Sequence, residues 1–221
     1  MTRTALVFDL DGTLADTAPD LAGAMNAVLR EAGRPELPLS AVRAMVGRGA
    51  RVLIEKGFSA SGGAPSGPGL DAYVARFLEH YRENIVSGSR LFPGVRETIA
   101  RLTQSAALGV CTNKPIALTE LLLDRLQFRA PFACVRGADS APYRKPDPRH
   151  LFDVIDGLGA SRARAVLIGD SETDVKTARA AGVPVVLVSF GYSEVPLDQL
   201  SADALIDTFE ALPAVLERIL G

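Results

Sequence analysis

The sequence predicts an α/β fold: a Rossmann-like parallel sheet with helices on both faces and a helical insertion after the first strand. Three observations predict it. Short apolar runs alternate with amphipathic stretches over most of the chain. Those runs are continuously apolar, as strands buried on both faces of a parallel sheet must be. And one long segment, from about Asp16 to Leu91, keeps helical patterning but shows no convincing strand.

The elements follow in order. Thr4–Phe8 is the first strand. Within the insertion, Leu21, Ala24, Met25, Val28, Leu29 and Ala32 fall at helical spacing, and Gly33 stands as a stop. Ser40 suits the cap of a short helix through Val46. Gly47-Arg48-Gly49 interrupts, and a helix resumes through Ile54. Ser59–Gly69 reads as a flexible loop by composition, without the Gly-Lys-Ser/Thr of a phosphate-binding loop. Tyr73, Phe77, Leu78 and Tyr81 form another helical stripe. Beyond the insertion, Ala106–Cys111, Phe132–Arg136, Ala165–Ile168 and Val183–Phe190 read as strands. Val95–Gln104, Ile116–Leu126, His150–Leu158 and Asp174–Ala181 read as helices between them. The domains are therefore 1–15 with 92–221, an α/β core, and 16–91, a helical unit.

At 221 residues, 48% hydrophobic and 23% charged, the chain has material for one well-filled core. A net charge of −2 gives no electrostatic case for nucleic acid or an anionic membrane. No apolar run approaches a membrane span, and the N-terminal apolar run is too short for a secretory signal. The expectation is a soluble, cytoplasmic protein, monomer or homodimer, with a small-molecule ligand. Cys111 and Cys134 sit in apolar strand-like runs and read as small buried residues.

In open α/β sheets the ligand site lies beyond the carboxyl ends of the strands. The first strand ends in Asp9-Leu10-Asp11-Gly12, two acids spaced to point to one side of an extended backbone. The second ends in Thr112-Asn113-Lys114-Pro115, hydrogen-bonding groups before a helix whose N-terminus favours an anion. The loop after the third holds Lys145 between Arg144 and Pro146-Asp147-Pro148. The fourth ends in Gly169-Asp170-Ser171-Glu172-Thr173-Asp174, where Ser171 and Asp174 suit a helix-capping pair. Lysine is scarce in this chain, with Lys56, Lys114, Lys145 and Lys176 the full set, yet two of the four fall in strand-end loops.

Together these residues resemble the haloacid dehalogenase superfamily, whose four motifs are matched by Asp9–Thr13, Thr112, Lys145 and Gly169–Asp174. Within it the chain looks most like phosphoglycolate phosphatases, through "DLDGTLADTAPDL", "VGRGA", "LFPGV", "CTNKP", "RKPDP", "GDSETD" and "FGYS". The insertion is similar to that family's helical cap. The resemblance implies a Mg²⁺-dependent phosphatase for a small phosphate monoester such as 2-phosphoglycolate. Asp9 would be the nucleophile and Asp11 the proton donor, then acceptor. Thr112 and Asn113 would hold the phosphoryl oxygens, and Lys145 would offset charge on Asp9 and the phosphoryl group.

Two unit charges about 4 Å apart repel by about 4 kcal/mol at an effective dielectric of about 20, so four converging carboxylates call for a hard cation. Its expected ligands are Asp9, the backbone carbonyl of Asp11, and Asp170, with Asp174 a ligand through water or an orienter. Arg48, between two glycines of a cap loop, is the candidate reader of an anionic group on the substrate. His80 and His150 have no assigned catalytic role. Alternatives are a phosphoryl transferase similar to β-phosphoglucomutases, a phosphatase for another sugar phosphate or a nucleotide, and a non-catalytic phosphate-binding module. Dehalogenases and phosphonatases depart from the pattern at the second aspartate, which is present here as Asp11.

Overall fold

A computed structural model describes residues 3–63 and 67–221 of the chain. Strand β1 (Thr4–Phe8) is followed by β2 (Ala15–Asp16) and four helices: α1 (Ala18–Glu31), α2 (Leu39–Arg43), α3 (Ala50–Ala60) and α4 (Pro68–Glu83). The chain returns through β3 (Arg90–Leu91) and α5 (Val95–Leu102). It then alternates through β4 (Ala106–Cys111), α6 (Ile116–Arg125), β5 (Cys134–Arg136), α7 (Pro148–Gly157), β6 (Ala165–Gly169), α8 (Glu172–Ala181), β7 (Val185–Val188), β8 (Ala204–Ile206) and α9 (Leu212–Leu220).

Among the described residues the main sheet has six strands in the order β5-β4-β1-β6-β7-β8, all parallel. This is the predicted Rossmann-like α/β fold. Its faces divide as the period of two requires. Leu6 and Phe8 of β1 join a cluster with residues of α5, α6 and α9. Ala5 and Val7 join the opposite cluster with residues of α7 and α8. Gly109 in β4 permits close approach, since a Cβ there would press on Val154 of α7 and the Cys134 carbonyl.

Register positions the site. Phe8 pairs with Val110 on one side and Ile168 on the other, so β1, β4 and β6 end level. The Asp9 amide continues the ladder by donating to the Ile168 carbonyl at 2.9 Å. Asp9, Thr112 and Asp170 therefore follow three adjacent strand ends.

The helical segment is braced where it leaves and rejoins the sheet. Ala15 pairs with Leu91 and Asp16 with Arg90, antiparallel. The apolar stripes predicted in α1 and α4 face the core, with Met25, Val28, Leu29, Phe77 and Tyr81 nearly inaccessible and Ala32, Tyr73 and Leu78 half-buried. Gly33, at φ 67°, follows the end of α1, and the Arg34 amide closes onto the Leu29 carbonyl at 2.8 Å.

Several boundaries differ from expectation. Ser40 lies inside α2, whose cap position is Pro38, and the helix stops at Arg43 rather than Val46. Helix α3 runs on to Ala60, and α4 starts at Pro68, so the expected loop 59–69 is shorter at both ends. Residues 64–66 of that loop lie outside the described residues. Strand β7 covers only 185–188 of the expected 183–190. Strands β2, β3 and β8 and helix α9 are additions to the sequence reading.

Candidate active site

Asp9 lies at the end of β1, 4% exposed. Its Oδ1 accepts from the Leu10 amide at 2.7 Å and faces Lys145 Nζ at 3.0 Å. The chain then turns sharply at Gly12, φ 85°, where a Cβ would collide with the Asp170 carboxylate and the Tyr192 ring. The Asp11 carboxylate has partners of its own. Asp11 Oδ1 accepts from Thr17 Oγ1 at 2.6 Å and pairs with Lys114 Nζ at 2.8 Å.

The fourth strand end supplies the other two acids. Asp170 Oδ2 accepts from the Tyr192 amide at 2.7 Å, and Thr13 Oγ1 donates to Oδ1 at 3.3 Å. Asp174 is fully buried on the first turn of α8. Its Oδ2 accepts from the Ser171 hydroxyl at 2.7 Å and from the Asp170 and Ser171 amides at 3.2 Å, completing the predicted capping pair. Its Oδ1 accepts from Lys145 Nζ at 2.6 Å. Both oxygens are thus engaged within the protein.

Lys145 is held by its neighbours as well as by charge. Its amide donates to His150 Nδ1 at 3.2 Å, and its carbonyl accepts from Asn113 Nδ2 at 3.1 Å. Asn113 Nδ2 also reaches the Gly47 carbonyl of the helical segment at 3.2 Å, while its Oδ1 is buried without a hydrogen-bond partner. Thr112 Oγ1 accepts from the Lys114 amide at 3.2 Å. At the N-terminus of α6, the first helical amide, Ile116, already donates to Asp139 Oδ1 at 2.7 Å. The end of that helix is therefore capped by a side chain, and Pro115 stands at the cap position.

The electrostatics are those of a site short of positive charge. Burial pushes the Asp9 carboxyl up to about 7; Lys145 pulls it down, and Asp174 and Asp11 push it further up. Burial likewise raises Asp170 well above the usual carboxylate range, with Asp174 and Asp9 adding to the effect. Lys145 and Lys114 are opposed by burial, yet their carboxylate neighbours more than offset it and hold both ammonium groups above the usual lysine range. Four carboxylates face two ammonium groups. Oxygen atoms of Asp9, Asp170 and Asp174 lie within 4.8 Å of one another. An all-oxygen donor set with residual negative charge fits a hard divalent cation such as Mg²⁺. The Asp11 carboxylate stands outside that group, and Asp174 Oδ1 is shared with Lys145.

Over the acids lies a cavity walled by Leu21, Val46, Leu53, Phe77, Leu78 and Tyr81 of the helical segment. Asp9, Asp11, Thr112, Asn113 and Lys114 line its floor. The structure thus brings together every predicted core residue. Arg48 is different: it is exposed, and only its neighbours Gly47 and Gly49 reach the cavity lining. His80 pairs with Glu31 at 2.7 Å on the surface. Sequence reasoning assigned no role to Lys114, Tyr81 or Tyr192. The concentration of a scarce lysine in a strand-end loop was the one signal that could have found Lys114.

Residues 6–188 match the family described as haloacid dehalogenase-like hydrolase. A protein of Caulobacter vibrioides named phosphoglycolate phosphatase is 49% identical over 209 residues, covering 94% of this chain and 88% of that protein. A second of that name, from Mesorhizobium japonicum, is 41% identical over 222 residues, covering 100% of this chain and 98% of its own length. In structure, a predicted phosphoglycolate phosphatase from Haemophilus somnus superposes with a TM-score of 0.91 at 29% identity, covering 97% of this chain and 98% of that one. Strand order, strand-end acids and sequence agree: this chain belongs to the haloacid dehalogenase-like hydrolase family.

Proposed function

We propose that this protein is a Mg²⁺-dependent phosphatase that hydrolyses 2-phosphoglycolate through an aspartyl-phosphate on Asp9. The observation that carries the reading is a buried carboxylate with Lys145 at 3.0 Å on one oxygen, on the floor of a roofed cavity. The names of the relatives support the substrate. Residues 16–91 act as a cap domain over the core of 1–15 and 92–221. The bacterial relatives support a cytoplasmic enzyme.

In the first half-reaction an Asp9 carboxylate oxygen attacks phosphorus while the bond to the ester oxygen breaks. Asp11 gives its proton to the departing alcohol. Water then attacks the phosphorus of the acyl phosphate, Asp11 takes its proton, and the bond to Asp9 breaks. Lys145 favours the ionised form of Asp9 and neutralises the phosphoryl oxygens, where charge stabilisation counts most. Thr112 and Asn113 anchor those oxygens. Asp9, Asp170 and the Asp11 backbone carbonyl would hold Mg²⁺, which supplies further neutralisation of the phosphoryl charge when bound. Asp174 orients Lys145 and the turn at Asp170. The apolar cap wall excludes bulk water.

Phosphate release from a panel of small esters, with Mg²⁺ and after chelation, tests this. The expected result is the highest kcat/KM for 2-phosphoglycolate, no turnover after chelation, recovery with Mg²⁺, and no need for a sugar bisphosphate. A hexose phosphate or nucleotide turned over more efficiently would contradict the substrate.

A further inference from the structure

The helical segment contributes nine residues to the cavity lining, and eight of them present only carbon or backbone. The ninth, Tyr81, is 1% exposed, and its hydroxyl is buried without a hydrogen-bond partner. A buried donor left unpaired is unfavourable unless a ligand satisfies it. Directly beside it lies Lys114, the one cation among the cavity-lining residues, with Nζ 4.4 Å from the Tyr81 ring centroid. An ammonium offers three donors. Asp11 Oδ1 accepts one of them at 2.8 Å, and the Tyr81 hydroxyl oxygen is near enough to draw on a second, which leaves the third for a ligand. Burial pushes the Tyr81 hydroxyl up to about 12 despite the pull of Lys114, so it stays a donor at neutral pH.

We propose that Tyr81 and Lys114 form a carboxylate subsite that selects esters of 2-hydroxy acids. Two converging donors, one charged, suit an anionic acceptor with two oxygens better than a sugar hydroxyl, which needs an acceptor in return. Lys114 touches Asp11, the group assigned to the ester oxygen, so the carboxylate must stand close to that oxygen. A short 2-hydroxy acid ester meets this condition, and a hexose phosphate does not. Arg48, exposed and outside the lining, is not needed for it.

This subsite rests on the proposed reading of the enzyme, and the test separates the two. The ratio of kcat/KM for 2-phosphoglycolate to that for 2-hydroxyethyl phosphate is measured in wild type, Tyr81→Phe and Lys114→Met. The wild type favours the carboxylated ester. Tyr81→Phe, which keeps the ring and the packing, lowers the ratio by about tenfold, mainly through KM for 2-phosphoglycolate. Lys114→Met lowers it at least as far. A wild type with no preference overturns the substrate reading and the subsite together. A wild-type preference that survives Tyr81→Phe overturns the subsite alone. So does a ratio that Arg48→Ala collapses while Tyr81→Phe leaves it unchanged, because the cap loop would then read the carboxylate.

Discussion

His150 shows how a residue far from any bond-making step can matter. It is fully buried, its Nδ1 accepts from the Lys145 amide, and Nε2 has no partner. Burial pushes it down to about 4, and the Lys145 charge adds to the effect. The folded state therefore favours neutral imidazole. Its stability contribution is complete above the unfolded pKa near 6.5 and is lost as pH falls toward about 4. Between about pH 7 and about pH 5 this group should cost about 2 kcal/mol of unfolding free energy. Urea titrations of wild type and His150→Asn at the two pH values check this: the variant should lose less stability on acidification, and equal losses would contradict it. Among the acids, Asp11→Asn should lower kcat by about 10² to 10⁴-fold, as expected for loss of one proton-transfer group, measured by steady-state phosphate release.

The acids and Lys145 are legible in sequence because each follows a strand end in a fixed order. Tyr192 is not, because its part is purely tertiary. Its hydroxyl donates to Asp16 Oδ1 at 2.6 Å, 176 positions away, and its amide holds Asp170. The meeting of Tyr81 with Lys114 is hidden for the same reason, since one belongs to the helical segment and the other to a sheet loop.

At the scale of elements, what can be read depends on burial. Strands β1 and β4 match their predicted limits, because their five and six residues form unbroken buried or nearly buried runs. Strand β8 escapes because it is three residues at the sheet edge with an exposed leucine in the middle. The pair β2 and β3 is two residues long on each side, below any periodic signal. Ser40 misleads because a capping residue type inside a short helix looks like one before it. The close seating of α7 on β4 makes a sharp prediction. Gly109→Ala would drive a methyl group into Val154 and the Cys134 carbonyl. It should destabilise the fold by about 1–3 kcal/mol, as overpacking of a filled core does. Denaturant midpoints give the value, and an unchanged midpoint would show that α7 is free to shift.

Across the whole molecule, Tyr192 and Glu194, in the loop after β7, tie the helical segment to the sheet with unequal strength. Arg43 of α2 meets both oxygens of Asp16, at 3.1 and 2.9 Å, and stacks on Tyr192 with its guanidinium 5.2 Å from the ring centroid. Through Tyr192 this clamp reaches Asp170. Lys56 pairs with Glu194 at the surface, where solvent weakens the attraction. Arg43→Ala should therefore raise KM by about fivefold, whereas Lys56→Ala should change it by less than about twofold. Steady-state kinetics at moderate ionic strength distinguish the two, and equal effects would show that the clamp does not seat the segment.

As the proposed nucleophile, Asp9 carries the phosphoryl group between the two half-reactions. The most direct measurement is rapid acid quenching during turnover of the substrate, followed by mass analysis of the peptide containing Asp9. The expected result is one added phosphoryl group on Asp9, present only during turnover and absent in Asp9→Asn, which releases no phosphate. Full-rate turnover by Asp9→Asn, with no phosphoryl group on the peptide, would contradict it.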